Sequence, residues 1–327
     1  MSKDPVINGV RVRPGENQLI DFNIAKLPSG TAIDLPVYMF RSKNPGPSLL
    51  LIGGLHGDEI NGVEIIRRMI ASKIFEELKC GSVIAVPVLN IYGFLNFSRE
   101  VPDGKDINRN FPGSQHGSLA AMVAHFMTKH ILPQADYGLD FHTGGAVRYN
   151  YPQVRYAGSD PEARKLAVVF KAPLMLQSGL IDRSLRKQAH KTGVPIVVFE
   201  GGESMRIDEE VVTEGIAGTK RVMHYLGMRK TKSLTARQSV HCSKSSWIRA
   251  KSSGIFNRTT ESGTYVKKGD EMGRINDPFN TFCVKVKAPR EGFVVGHNNM
   301  PVINRGDALF HLGYEGGEDI EGGSSGD

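Results

Sequence analysis

Short apolar runs alternate with segments of helical periodicity between Pro47 and Leu226, and this alternation limits the fold more than any other feature. The apolar runs are SLLLIGG, SVIAVPVLN, ADYGLDF, PLMLQ and PIVVFE. Between the first two, apolar residues recur at the spacing of one helix face: Ile60, Val63, Ile66, Met69, Ile70 and Ile74. Strands that are apolar on both faces and joined by helices are typical of a sheet covered on both sides. We therefore predict an α/β fold with a mostly parallel or mixed sheet between helices.

Further local patterns predict additional helices and an N-terminal pair of strands. Helical spacing predicts helices near residues 119–130, 161–170, 184–191 and 209–226. The first forty residues contain two alternating runs, NQLIDFNIAKL and TAIDLPVYMF, which are separated by Pro-Ser-Gly. This arrangement predicts an N-terminal β-hairpin.

A second, all-β region follows a change in composition after Gly227. The segment MRKTKSLTARQ is basic and polar, as expected of a connector. Beyond it, Gly254 and Gly292 precede the Gly-Asp pairs at 269–270 and 306–307 by similar distances, which predicts two related β-halves. The region resembles the barrel-sandwich hybrid of biotinyl and lipoyl carriers. The turn between its halves, NDPFNTFCVKVKAP, lacks their modification motif, so we do not expect a carrier.

We accordingly divide the chain into three segments. Residues 1–235 form the α/β domain with its hairpin, and residues 236–313 form the domain that resembles a β-barrel or sandwich hybrid. Residues 314–327 are acidic and glycine-rich, which predicts a disordered tail. Trp247 and the other aromatic residues of the second domain are interpreted as core or interface residues.

Composition excludes several classes of protein. The chain has 327 residues, 40% of them hydrophobic and 23% charged, and no apolar stretch approaches the ~18 residues of a membrane helix. The N-terminus shows no secretion signal, so we expect a cytoplasmic protein.

Three widely spaced cysteines predict neither disulfides nor a cysteine zinc cluster. A net charge of +7 favours anionic substrates weakly, and no nucleic-acid-binding pattern accompanies it.

Polar residues follow the apolar strands at the ends where ligands of open α/β sheets bind. The motif LLLIGGLHGDE presents His56 and Glu59, and GLDFHTGG presents His142. Two imidazoles and a carboxylate that leave one position open for water are the ligand set of a catalytic zinc site. Asp140 shares a strand face with His142, so it can accept an N–H from a ligand imidazole. Taken alone, the pair His56 and Glu59 is more typical of surface polar residues, and Asp140 is equally typical of a carboxylate in a turn at the end of a strand.

A third polar site ends the strand VPIVVFEGGE, which carries Glu200. A carboxylate after so apolar a run is costly to bury unless it has a partner or a task. As a general base, Glu200 would take a proton from the attacking water and pass it to a leaving nitrogen. Glu203 lies further into the loop and is less favoured.

Four motifs taken together carry a family resemblance. They are His-Gly-Asp-Glu, Asp-x-Asn-Arg-Asn-Phe-Pro-Gly, Asp-x-His-Thr and Glu-Gly-Gly. In this order and at these separations, they resemble the succinylglutamate desuccinylase/aspartoacylase family, a branch of the zinc carboxypeptidase-like fold, over about residues 49–202. The β-domain is similar to the C-terminal domain of many bacterial members. The resemblance implies one Zn²⁺ per subunit, with His56, Glu59 and His142 as ligands and Glu200 as the general base.

The resemblance also implies substrate contacts. Asn108 and Arg109 match the Asn-Arg pair that holds the substrate carboxylate, and a guanidinium fork suits that task. Arg99 stands ten residues before Arg109, where the family has an arginine that polarises the scissile carbonyl and stabilises the oxyanion. Arg186 lies where relatives have a second carboxylate-binding arginine. Its spacing to Glu200 does not match aspartoacylase closely, so a solvated helix position fits it equally well.

These observations lead us to predict a zinc-dependent amidohydrolase, a deacylase that acts on a small N-acyl amino acid or related N-acyl amine. Two alternatives stay open: a metallocarboxypeptidase that cleaves peptide C-termini, and a non-catalytic binding protein on the same fold. We expect a small-molecule partner and neither nucleic acid nor membrane. The sequence leaves open whether the chain forms homo-oligomers and whether the β-domain covers the site.

Overall fold

The computed structural model describes residues 5–26, 30, 32–230 and 238–316. This part of the chain contains six α-helices: α1 (Ile60–Ala71), α2 (Ile91–Asn96), α3 (Leu119–Phe126), α4 (Pro161–Phe170), α5 (Leu185–Lys191) and α6 (Glu209–Tyr225). Short turns of 3-10 or π-helix span Ile107–Arg109, Met127–Ile131 and Leu132–Gln134. None of these helices has the length and apolar character needed to cross a membrane.

The strands fall into two groups along the chain. The first group is β1 (Val6–Ile7), β2 (Val10–Arg11), β3 (Asn17–Lys26), β4 (Ala32–Arg41), β5 (Ser48–Ile52), β6 (Ser82–Val86), β7 (Tyr137–Gly144), β8 (Arg148–Tyr156), β9 (Leu174–Gln177) and β10 (Ile196–Glu203). The second group is β11 (Val240–Cys242), β12 (Lys244–Arg249), β13 (Gly254–Arg258), β14 (Tyr265–Val266), β15 (Glu271–Asn276), β16 (Cys283–Lys287), β17 (Gly292–Asn298), β18 (Val302–Ile303) and β19 (Ala308–Tyr314).

A mixed sheet forms the centre of the molecule. Ten of its strands run in the order β12-β19-β17-β8-β10-β7-β5-β6-β4-β3. The four central strands, from β10 to β6, are parallel to one another, as the apolar runs predict. The strands on either side are antiparallel, and β3 and β4 form the predicted hairpin. The predicted α/β fold with a mixed sheet is therefore confirmed.

Helices cover both faces of this sheet. Leu50 and Ile84 face the apolar cluster that includes α3 and α5, whereas Leu49 and Val83 face the cluster that includes α1, α4 and α6. Successive strand residues point to opposite faces, so a strand covered on both sides needs an unbroken apolar sequence. Polar residues are then tolerated only where these strands end, and this is where the candidate site lies.

The second region has its own core and the predicted internal repeat. A separate apolar cluster extends from Ala250 to Leu312. Gly254 and Gly292 have φ angles of 155° and 156°, and Gly269 and Gly306 both have a φ of 93°. In each half, the aspartate of the Gly-Asp pair accepts a hydrogen bond from the backbone N–H three residues earlier, at 2.8 and 2.7 Å. The two halves thus share the same turn, and the prediction of related β-halves is confirmed.

The two regions share one sheet through β8, a strand that the sequence analysis does not predict. β17 pairs with β8 antiparallel, and β11 pairs with β9 parallel. The connector residues 231–237 and the tail residues 317–327 lie outside the described residues, and β19 extends to Tyr314. The division into three segments stays a prediction.

Candidate metal centre and cleft

The loop after β5 is shaped by glycines that allow close backbone approach. A Cβ added to Gly57 would lie 1.9 Å from the carbonyl carbon of Gly93, so a side chain at this position would separate the loop from α2. This tight turn leaves His56 and Glu59 directly before α1, and both side chains are buried. The local sequence Gly-Gly-Leu-His-Gly-Asp-Glu thereby aims two polar groups inward at the edge of the sheet.

Three side chains from two strand ends converge on one point. His56 Nδ1 lies 2.8 Å from Glu59 Oε1, and His142 Nδ1 lies 2.9 Å from Glu59 Oε2. The two Nδ1 atoms are 3.2 Å apart. The Thr143 backbone N–H donates to Glu59 Oε2 at 3.0 Å, which holds the carboxylate between the two rings. These groups form the one candidate metal cluster in the described residues.

The outer nitrogens of both rings face carboxylates. His142 Nε2 lies 2.9 Å from Asp140 Oδ2, and His56 Nε2 lies 3.4 Å from Asp106 Oδ1. A proton held on each Nε2 directs the Nδ1 lone pairs towards each other, an arrangement that a cation between them would stabilise. Burial acts to lower the pKa of His142, but Asp140 and Glu59 outweigh it and raise that pKa well above its ordinary value. Two imidazoles, one carboxylate and this surplus of negative charge fit a zinc ion.

Glu200 lies on the neighbouring strand, level with His142 in the pairing of β10 with β7. Its side chain is 14% exposed. Asn150 Nδ2 donates to Glu200 Oε2 at 2.7 Å, and Arg155 Nη1 lies 3.4 Å from Oε1. Both oxygens of this carboxylate therefore face a donor, while the side chain keeps access to the cleft. Glu203 differs, since it accepts a hydrogen bond from Asn299 Nδ2 at 2.7 Å.

One cleft contains every predicted site residue. Its volume is about 620 Å³, a size typical of small-molecule sites. The predicted residues that line it are His56, Glu59, Arg99, Asn108, Arg109, Asp140, His142, Arg186 and Glu200. Residues that are far apart in the sequence are thus brought together, while the role of each residue stays a prediction.

Arg99 is aimed at the metal cluster by an aspartate. Its Nη2 donates to Asp106 Oδ2 at 2.9 Å, and its Nη1 lies 3.4 Å from Glu59 Oε1. The other oxygen of Asp106 accepts the Asn108 backbone N–H at 2.7 Å and so caps the short 3-10 turn. Burial favours a raised pKa for Asp106, but His56 and Arg99 lower it below its ordinary value. Asp106 therefore stays ionised and orients the guanidinium.

Three further side chains offer donors to an anion. Asn108 Oδ1 accepts the Leu185 backbone N–H at 2.9 Å, which leaves its Nδ2 group for a ligand. Arg109 is exposed, and its Nη1 donates to the Asn108 carbonyl at 2.8 Å. Arg186 donates to the Ser178 hydroxyl at 2.9 Å and to the Gly179 carbonyl, which are both neutral. Burial and Arg155 lower the pKa of Arg186 to about 10, so it remains charged at neutral pH.

The sequence analysis missed several residues of the cleft. Asn150 and Arg155 belong to β8, whose polar sequence RYNYPQVRY contains a proline and gives no strand signal. Asp106 stands within a motif that we quoted, but we predicted no role for it. Trp247 is 40% exposed and lines the cleft, so its interpretation as a core residue is wrong, while a role at an interface stays a prediction. Its ring stacks on His311 at a centroid distance of 4.5 Å.

The chain matches known proteins in sequence over most of its length. Residues 45–226 match the model of the succinylglutamate desuccinylase/aspartoacylase catalytic domain. The N-alpha-acetyl-L-2,4-diaminobutyric acid deacetylase of Halomonas elongata is 26% identical over 295 residues, which cover 85% of each protein.

Solved structures show the same architecture over nearly the whole chain. A succinylglutamate desuccinylase/aspartoacylase from Rhodobacter sphaeroides is 27% identical with a TM-score of 0.82, over 92% of this chain and 96% of that one. The product-bound ectoine utilization protein EutE (DoeB) from Ruegeria pomeroyi is 23% identical with a TM-score of 0.82, over 91% of this chain and 94% of that one. At 23% identity, the second similarity shows a shared fold.

Proposed function

Because the chain belongs to the succinylglutamate desuccinylase/aspartoacylase family, we propose that it is a zinc-dependent amidohydrolase that deacylates a small N-acyl amino acid or related N-acyl amine. The observation that carries this proposal is the convergence of His56, Glu59 and His142 in one cleft with Glu200. Losing any one of these groups would disable such a site, and all of them are present. This completeness argues against a non-catalytic binding protein.

The metal ligands and the base divide the chemistry between them. His56, Glu59 and His142 would hold one Zn²⁺, which supplies Lewis-acid activation of water and of the scissile carbonyl. Glu200 takes a proton from the attacking water on one carboxylate oxygen and delivers it to the leaving nitrogen. Breaking the amide bond thus yields a free carboxylic acid and a free amine.

Positively charged groups bind and orient the substrate. Arg99 Nη1 faces the metal cluster and would donate to the oxygen that gains negative charge during attack. Arg109 and Asn108 would hold the substrate carboxylate, and Arg186 offers a second guanidinium with no acidic hydrogen-bond partner in the described residues. These contacts favour an acyl amino acid over an uncharged amide.

The proposal is tested by following release of free amine from a panel of substrates, with and without a chelator. The panel contains N-acetyl, N-succinyl and longer N-acyl amino acids, N-alpha-acetyl-L-2,4-diaminobutyric acid, and short peptides. We expect release from N-acyl amino acids only, its loss on chelation and its return on addition of Zn²⁺. Cleavage of peptides alone would instead establish a carboxypeptidase. Binding of N-acyl amino acids without release of amine would establish a binding protein.

A further inference from the structure

Asn150 lies between the candidate base and the second region of the molecule. On one side its Nδ2 group donates to Glu200 Oε2 at 2.7 Å. On the other side it meets Gly296 of β17, with which it is paired across the sheet. A Cβ added to Gly296 would lie 2.6 Å from Asn150 Oδ1. The asparagine is 7% exposed, so it has little room to move away.

An irregularity in β8 turns Asn150 towards the cleft. Glu200 pairs with Gln153 and Gly202 pairs with Asn150, so β8 has one extra residue in this interval. Residues directly opposite each other in a ladder share a face, and one extra residue reverses the alternation. β10 is irregular in the same interval, and the hydrogen bond from Asn150 Nδ2 to Glu200 Oε2 shows that the two side chains lie on one face. Pro152, inside this interval, occupies a position where the ladder is already broken.

The orientation of the Asn150 amide follows from its two neighbours. An ionised carboxylate only accepts hydrogen bonds, so the NH₂ end of the amide faces Glu200. The carbonyl end then faces Gly296, and it fits because that residue has no side chain. A methyl group there would also approach the Tyr149 carbonyl oxygen to 2.9 Å, so the backbone of β8 cannot relieve the contact without disturbing its pairing.

We propose that Asn150 is a positioning residue for Glu200, and that Gly296 of the second region maintains this position. The inference rests on the proposed function of Glu200 as the general base. If the inference holds, the second region affects the reaction rate, because strand β17 of that region forms the surface against which the Asn150 amide packs. The substrate-binding groups Asn108, Arg109 and Arg186 lie on other segments and are untouched by it.

The test compares two glycine-to-alanine substitutions in the second region. Gly296→Ala places a methyl group against Asn150. Gly313→Ala, in the neighbouring strand β19, places one 2.8 Å from Val295 Cγ2 and 2.9 Å from Cys242 Sγ, and neither residue is a partner of Glu200. A displaced catalytic group costs up to about a hundredfold in rate. We expect Gly296→Ala to lower kcat ten- to a hundredfold at nearly unchanged KM, and Gly313→Ala to keep kcat. Equal kcat values for the two variants would overturn the inference.

A double-mutant cycle decides whether Gly296 acts through Asn150. Asn150→Ala removes the donor and should lower kcat by a similar factor. If the methyl group acts only by displacing this amide, Gly296→Ala has no further effect in the Asn150→Ala background. If kcat of the double variant instead falls by the product of the two single losses, Gly296 acts by another route. That result would overturn the proposed chain of contacts.

A crystal structure of Gly296→Ala gives a readout that does not depend on activity. We expect the distance from Asn150 Nδ2 to Glu200 Oε2 to exceed the present 2.7 Å, with the metal cluster unchanged. An unchanged distance would refute the inference. If the unaltered protein releases amine from no substrate, the proposed function fails, and this structure still decides whether Gly296 positions Asn150.

Discussion

The cleft has two sides that are built in different ways, and its two central carboxylates show the contrast. Glu59 is held by His56 and His142, which lie at the carboxyl ends of the neighbouring parallel strands β5 and β7. Glu200 is held by Asn150 and Arg155, from a strand that also pairs with the second region. The metal side thus depends on local loops at strand ends, whereas the side of the base depends on how distant segments pack. Substitutions on the metal side should therefore reduce zinc binding, whereas substitutions on the side of the base should reduce turnover without loss of zinc.

The largest expected effect is on the metal side. His142→Ala removes a ligand that is buried among His56, Glu59 and Asp140, so the protein should lose both bound zinc and all measurable turnover. Metal content by atomic absorption and amine release measure the two losses. His224→Ala, in an exposed part of α6, is the control. A His142→Ala protein that keeps stoichiometric zinc would show that the ligand set is different.

The side of the base should respond without loss of metal. Glu200→Gln keeps the shape of the side chain but removes its capacity to take a proton, so kcat should fall by about 10² to 10⁴. KM and zinc content should change little. Glu203→Gln, which alters a carboxylate bound to Asn299, should leave kcat intact and serves as the matched control. Equal turnover by the Glu200→Gln and unaltered proteins would remove Glu200 from the mechanism.

A smaller effect is expected from the carboxylate behind the metal ligands. Asp140→Asn replaces the charged acceptor of His142 Nε2, and loss of such a partner typically weakens metal affinity by about 10- to 100-fold. Competition with a fluorescent zinc chelator measures this change. Asp106→Asn should weaken affinity less, because Asp106 lies 3.4 Å from His56 Nε2 rather than 2.9 Å. The reverse order would show that Arg99 and Asp106 support the metal more than Asp140 does.

In the second region, His311 should make the free energy of unfolding depend on pH. Burial, with a smaller contribution from Arg155, lowers the pKa of His311 to about 3. Below about pH 6.5 the unfolded chain takes up a proton that the folded chain does not, so the free energy of unfolding falls as pH decreases, by about 1.4 kcal/mol per pH unit from this residue. His311→Phe preserves the stacking on Trp247 and should reduce this slope. Urea titrations between pH 6.5 and 4.5 measure it, and identical slopes would exclude His311 as the cause.

The metal side could be predicted because its signals are local in sequence. Apolar runs locate the parallel strands; His56 and Glu59 lie in the loop after β5, and His142 lies near the carboxyl end of β7. Asp140 could be assigned for the same reason, since residues two apart on a strand share a face. The repeat of the second region was also visible, because its turns need glycine at the same two places in each half. In each case the signal lies within short stretches of the chain.

The partners of Glu200 could not be predicted because their signals are distributed along the chain. β8 is polar, contains Pro152 and joins two regions, so neither alternation nor propensity identifies it. Its extra residue decides that Asn150 faces Glu200, and this depends on pairing rather than on composition. Trp247 reaches the cleft only because β12 continues the sheet beyond β19. The contact of Asn150 with Gly296 and the place of Trp247 in the cleft exist only where the two regions pack together.

The sequence by itself determined the α/β sheet, the order of its polar strand ends and the identity of the groups that can bind a metal. These properties depend on hydrophobic periodicity and on residue types at fixed short spacings. Only the tertiary structure decided which side chains hold Glu200, how Arg99 is aimed and what forms the outer wall of the cleft. The physical reason is that strand register and the packing of Gly296 against Asn150 are set by contacts between segments about 150 residues apart, which no local pattern encodes.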